Sequence, residues 1–172
     1  MNTTTRVVMI SLMSVAVLAG CKKTVKEVPP TDTGPTDTGV VTDGTTTAGA
    51  YGPNDLDTDA CLRQRVVYFD LDQDTLKPEF EAIMACHAKY LQDQPSSRIT
   101  LEGNADERGS REYNRGLGER RGNAVSSALE GNGGSASQLS VVSYGEERPT
   151  CTDSMESCWG QNRRVEIVYT AR

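Results

Sequence analysis

The sequence predicts an α/β (α+β) two-layer sandwich: a βαβαβ(α)β domain whose mixed sheet carries its helices on one face. Three observations point there. Short β-branched runs alternate with longer runs of helical apolar spacing from about residue 60 to the C-terminus. The chain upstream of that point has a different composition, dominated by Thr, Gly, Pro and Asp. Hydrophobic residues make up only 36% of the 172, which fits one modest core beside a segment that builds none.

The elements follow in order. Arg65 to Phe69 (RVVYF) is a β-branched and aromatic strand. Phe80, Ile83, Met84, His87 and Leu91 share one helical face, with Pro78 in the first turn and Pro95 beyond the end. His87, on that apolar face, is expected as a packed core residue. Ile99, Leu101 and Gly103 alternate as a half-buried strand. Ser110 is placed to cap a second helix, with Tyr113 where a capping box would need an acid. Leu117, Ala124, Val125, Ala128 and Leu129 form its apolar stripe, and Gly131 to Gly134 end it. Gly116, Gly118 and Gly122 lie inside this helix, each costing about 1 kcal/mol relative to Ala. Leu139 to Tyr144 (LSVVSY) is a third strand. After a loop and a short helix, Val165, Ile167 and Tyr169 alternate in the last.

The upstream segment divides in two. Residues 1–20 have the form of a lipoprotein signal. Arg6 gives a basic start, Val7 to Val17 an apolar stretch too short to span a bilayer, and Leu18-Ala19-Gly20 precede Cys21, the expected lipidation site. Several acyl chains on Cys21 would anchor the chain stably where one would not. Lys22, by resemblance to Gram-negative lipoproteins, favours delivery to the outer membrane with the domain facing the periplasm. Residues 21–59 form a tether in which PTDTG occurs at Pro30 and again at Pro35. It holds too few apolar groups to offset the entropy of ordering. Such a chain spans on the order of 35 Å on average. The folded domain is then 60–172.

Export implies an oxidising compartment. Four thiols remain after Cys21: Cys61, Cys86, Cys151 and Cys158. They allow three pairings. Cys151 and Cys158 flank a short loop and are the natural local pair, which leaves Cys61 with Cys86. Neither spacing fits a zinc motif. The net charge of −6 and the lack of clustered Lys argue against nucleic-acid binding. A single His removes the usual multi-His metal sites, and no cofactor motif is present. Asp106 and Glu107 are adjacent carboxylates that point apart in extended chain, unsuited to paired-acid catalysis, so the domain is not expected to be an enzyme.

The stretch GNADERGSREYNRGLGERR, Gly103 to Arg121, is crowded with charge of both signs. Arg121 stands out within it. It lies four residues after Leu117 and four before Val125, on the stripe that should be apolar. A guanidinium there must either snorkel out or find an acidic partner. Asp106 lies just past the preceding strand, where ligands often bind in such sheets. Asp106 and Arg121 facing one another across a cleft would suit a zwitterionic, amino-acid-like ligand, one group taking its ammonium and the other its carboxylate. The same two residues would equally serve as an internal ion pair that orders the loop.

The motifs LEGNADERGSREYN, LGERRGNAV, VSYGEERP and NRRVEIVY, in that order, resemble the OmpA-like peptidoglycan-binding domain, and within it the outer-membrane lipoproteins. The resemblance covers about 65–170. It implies binding of the peptidoglycan stem peptide through diaminopimelate, Asp106 taking the ammonium and Arg121 the carboxylate. It places Asn104, Arg108, Asn114 and Leu117 in the same cleft, with Leu71 and Asp72 meeting the ligand through backbone. Arg163 and Arg164 match a position equally suited to structure or binding. Glu147 and Tyr144 match loop-ordering positions. The remaining charges of the stretch are expected on a solvated surface. Partners implied are peptidoglycan, the outer membrane through the lipid anchor, and proteins of the Tol system in envelope integrity and cell division. A structural or protein-interaction module outside that system is the alternative. This chain departs from the family pattern at Leu71, where an aromatic is usual, at Asn104, where His is frequent, and at Gly116 and Gly122, where Ala is usual.

Overall fold

The computed structural model describes residues 49–171. The signal segment, Cys21 and the tether as far as residue 48 lie outside the described residues. Among the described residues, four helices and four strands alternate much as the periodicity predicts. They are α1 Asp55–Thr58, β1 Val66–Tyr68, α2 Glu81–Asp93, β2 Arg98–Asn104, α3 Arg111–Gly131, β3 Leu139–Gly145, α4 Glu156–Asn162 and β4 Arg164–Ala171. A 3₁₀ turn over Pro78–Phe80 leads into α2, with Pro78 at its start where a missing N–H costs nothing. Ser110 caps α3, its side chain accepting from the Tyr113 amide.

The sheet order is β1-β4-β2-β3. β2 and β3 run parallel, and β4 runs antiparallel to both β1 and β2. The last strand is therefore inserted between the first two. α2 and α3 cover one face, and the core between the layers includes Val67, Met84, Leu91, Leu101, Val125, Leu129 and Ile167. The insertion has a consequence for function. The chain leaves β1 and β2 at the end of the sheet where β4 begins, as the pairings Tyr68↔Arg164 and Gly103↔Val165 require. The loops after β1 and β2 and the start of β4 meet at one edge.

Two expectations need correction. The fold reaches back past the boundary placed at residue 60. The Tyr51 amide donates to Asp93, and Leu56 is fully buried against Leu62 and Tyr90. Asp recurs in this stretch, so its composition resembles the tether, and tertiary contacts order it: the pocket for Leu56, the bonds of the Tyr51 backbone to Asp93 and Gln94, and Arg65 on the Leu56 carbonyl. The glycines of α3 also differ from one another. A Cβ on Gly118 would lie 2.4 Å from Ser143 Oγ and 2.8 Å from the Gly103 carbonyl oxygen, and one on Gly122 would lie 2.5 Å from Val141. These two let the helix axis approach the sheet closely. Gly116 has only the Arg120 side chain nearby, at 3.5 Å.

Both disulfides form as the spacing suggests, Cys61–Cys86 tying the segment before β1 to α2 and Cys151–Cys158 tying a loop to α4. His87 is fully buried, as its apolar face predicts. Its Nε2 donates to the Gln64 carbonyl at 3.0 Å, so Nδ1 accepts from the Tyr169 hydroxyl at 2.7 Å. Burial pushes its pKa down to about 4.

Gly116→Ala should stabilise the protein by about 0.5–1 kcal/mol, whereas Gly118→Ala should destabilise it by about 1–3 kcal/mol, because backbone stands in the way. Urea unfolding of the two variants measures both. The unfolded chain holds His87 protonated below about pH 6.5 while the folded chain keeps it neutral to about pH 4. Stability is therefore full above pH 6.5 and falls as the pH drops through that window, by about 2 kcal/mol at pH 5. His87→Asn should flatten the dependence in denaturant titrations run between those two pH values.

Candidate functional site

A cleft of about 360 Å³ opens where the three chain segments meet. Its walls come from Leu71 and Asp72 after β1, Ala105, Asp106, Arg108 and Gly109 after β2, Tyr113, Asn114, Leu117 and Arg121 on α3, and Arg163 before β4. Of the eight residues expected in a ligand site, seven are gathered here. Asn104 is the exception. It is 1% exposed, its Nδ2 donates to the Glu102 carbonyl, and it does not line the cleft. Its contribution is its backbone oxygen, which accepts from Arg121 Nη1.

Arg121 neither snorkels nor finds an acid. It is the largest fully buried side chain among the described residues. Its Nε donates to the Gln73 carbonyl at 2.8 Å, Nη1 to Asn104 at 2.9 Å and Nη2 to Asp70 at 3.0 Å, with the Phe69 ring 5.3 Å from its carbon centre. Three backbone oxygens offset what one carboxylate was expected to offset. Burial, reinforced by the nearby Arg163 charge and opposed by Asp106, brings its pKa down to about 10, so it remains a cation at neutral pH. Three of its five N–H groups are used.

Asp106 is 4% exposed and pairs with other arginines. Arg108 grips it in a fork, Nε to Oδ1 at 3.1 Å and Nη2 to Oδ2 at 2.7 Å, and the Arg108 amide donates to Oδ1 at 3.1 Å. Arg163 Nη1 donates to Oδ2 at 3.1 Å. No ion pair joins Asp106 to Arg121 among the described residues, so the internal pair considered from sequence does not form. Desolvation pushes Asp106 up, but the bonds from Arg108 and Arg163 outweigh it and hold the carboxyl below its ordinary range. The cleft thus carries an ionised acid on one wall and a cation with unspent donors on another.

The rest of the lining positions these groups. Asn114 Nδ2 donates to the Asp106 carbonyl at 3.1 Å and to Glu146 Oε2 at 2.5 Å. Asp72 holds a left-handed backbone, φ 57°, and accepts from the Tyr113 hydroxyl. Leu71 and Tyr113 stay about half exposed and give the rim an apolar character. Among the described residues no group of three His, Cys, Asp or Glu side chains could hold a metal ion.

Sequence reasoning left Arg163 undecided and passed over Tyr113. Arg163 is both structural and part of the cleft wall, since it also donates to the Phe69 carbonyl and to Glu156 Oε1. The signal for it was the NRRVE motif ahead of an alternating strand. Glu147 pairs with Arg111 and Arg115, and the Arg148 guanidinium lies 3.4 Å from the Tyr144 ring centre, so both order the loop after β3. Other charges of the Gly103–Arg121 stretch reach beyond their own segments, with Arg120 of α3 on Asp74 and Glu107, in the loop before α3, accepting from Trp159 and Ser154.

Residues 68–163, more than half of the chain, match the OmpA family. The chain belongs to that family. Among its OmpA-family relatives, a peptidoglycan-associated lipoprotein of Pseudomonas putida is 50% identical over 113 residues, covering 65% of this chain and 68% of that one. The protein of the same name from Pasteurella multocida is 36% identical over 156 residues, 91% of this chain and 92% of that one. The crystal structure of the peptidoglycan-associated lipoprotein from Burkholderia pseudomallei superposes with a TM-score of 0.65 at 40% identity, covering 66% of this chain and 97% of that one. The C-terminal domain of Helicobacter pylori MotB shares the fold, at 24% identity and a TM-score of 0.57. The mixed four-stranded sheet with its helices is the OmpA-like fold of these proteins.

Proposed function

We propose that this protein is an outer-membrane lipoprotein that binds peptidoglycan non-covalently and tethers the membrane to the cell wall. In this reading it is the peptidoglycan-associated partner of a Tol–Pal system. Acyl chains on Cys21 hold the membrane, residues 22–50 cross the gap, and the domain grips the stem peptide from the periplasmic side. Two facts support the reading together. One is the opposed charge of Asp106 and Arg121 in a single cleft. The other is the name shared by relatives up to 50% identical.

The cleft chemistry fits a carbon that bears both an ammonium and a carboxylate. Asp106 would accept the ammonium, and the two unspent Arg121 donors would take the carboxylate. The diaminopimelate of a stem peptide presents such a centre. Leu71 and Tyr113 would meet its alkyl chain. A site this small binds weakly, and many copies in one membrane would supply avidity. The protein performs no chemistry on the wall.

Asp106→Asn keeps the shape and removes the charge. In the full chain it should reduce co-sedimentation with purified sacculi by about tenfold or more, the scale of one lost charge-assisted contact, while circular dichroism stays native. A folded variant that sediments like the wild type would place the site elsewhere. Release of soluble muropeptides by the wild type would make the protein a hydrolase instead.

A further inference from the structure

Asp106 has no free lone pair. A carboxylate offers about four acceptor positions, and four N–H groups already fill them: the Arg108 amide and Nε on Oδ1, and Arg108 Nη2 and Arg163 Nη1 on Oδ2. A ligand ammonium cannot add to this set. It must replace a member of it.

The two arginines are not equally replaceable. Arg163 is fixed at all three nitrogens, to Phe69, Asp106 and Glu156, and its side chain is 9% exposed. Arg108 is 31% exposed and rests on a second support. Its guanidinium lies over the Trp159 ring at 4.1 Å, and its Nη1 lies 3.4 Å from Glu156 Oε2. The indole is itself held in place, its N–H donating to Glu107 Oε1 at 3.0 Å. α4 is tied down by Cys158, in the disulfide to Cys151. A flat aromatic face tolerates a guanidinium sliding across it, and the exposed Glu156 offers a charge to slide toward.

We propose that Arg108 is a displaceable internal cation that occupies the ammonium position until a ligand takes it, with Trp159 and Glu156 as its second berth. Trp159 is then a positioning residue, acting through Arg108. The arrangement selects for ligands. A neutral or anionic group cannot replace a guanidinium on Asp106 without leaving the carboxylate under-compensated, whereas an ammonium can. It also sets affinity, because a ligand that must first displace Arg108 binds more weakly than one entering an open site, in proportion to the fraction of time the position is open. This inference rests on the proposed placement of the ligand ammonium at Asp106.

Trp159 is the sole tryptophan of the chain, so its emission reports the berth directly. The experiment titrates the full chain with a soluble diaminopimelate-containing stem peptide, following binding by calorimetry and Trp159 emission in parallel. Wild type should show an emission change that saturates with the calorimetric curve. Arg108→Met keeps a side chain over the ring but no charge. It should bind about tenfold more tightly and lose the emission change. Equal or weaker binding by a folded Arg108→Met overturns the inference and leaves the proposed function standing. If that variant does not fold, wild type decides alone, since calorimetric binding without an emission change overturns the inference. Failure of both proteins to bind the peptide overturns the proposed function, and this inference with it.

Discussion

The Arg121 guanidinium, closed on the carbonyls of Asp70, Gln73 and Asn104, is the interaction on which the rest of the site depends. It joins α3 to the loop leaving β1 and to the end of β2. A helix crossing a sheet would ordinarily fill this position with an aliphatic residue. Placing a cation there forces three backbone oxygens to converge on it, since an unpaired buried charge would cost several kcal/mol. Convergence fixes the β1 exit loop, and that loop supplies Leu71 and the strained Asp72 backbone to the cleft. One side chain is thus both the keystone of the edge and part of the surface a ligand would meet.

Topology supplies the second constraint. Because β4 enters between β1 and β2, its first residues arrive beside the loops that follow them. Arg163 therefore reaches Asp106 from 57 residues away in sequence. Behind it, α4 carries Glu156 and Trp159, which hold Arg163 and Arg108 respectively. The close passage of Gly118 over Gly103 brings α3 near enough for Asn114 and Arg121 to serve the same cleft. The order of charges is then acid at the centre, arginines around it, and an outer layer that orients the arginines.

Much of this was legible in the sequence, and what was not has identifiable physical reasons. Element types followed from period, because each helix and strand buries one face. Arg121 was visible as a charge on an apolar stripe, and Asp106 as an acid past a strand end. The partners of each were not visible. A side-chain pattern does not display backbone carbonyls, so Arg121 was expected to need an acid. Asp106 was matched with Arg121 because they share one local stretch, while its true partners depend on a two-residue fork and on the position of β4. Asn104 matched by motif, yet its side chain turns to Glu102, and only its carbonyl serves the site. Leu56 shows the opposite failure, an ordered core residue inside a composition that looks like tether. Gly118 and Gly122 looked like defects because helix propensity does not register how close a neighbouring strand lies.

The central claim is that Asp106 and Arg121 together receive one zwitterionic carbon of the peptidoglycan stem peptide. A crystal structure of the protein with a diaminopimelate-containing stem peptide tests it most directly. The account predicts the ligand ammonium within hydrogen-bond distance of an Asp106 carboxylate oxygen and the adjoining carboxylate on the two remaining Arg121 N–H groups. A ligand seated elsewhere, on the uncovered face of the sheet or on the charged loop after β3, would contradict it.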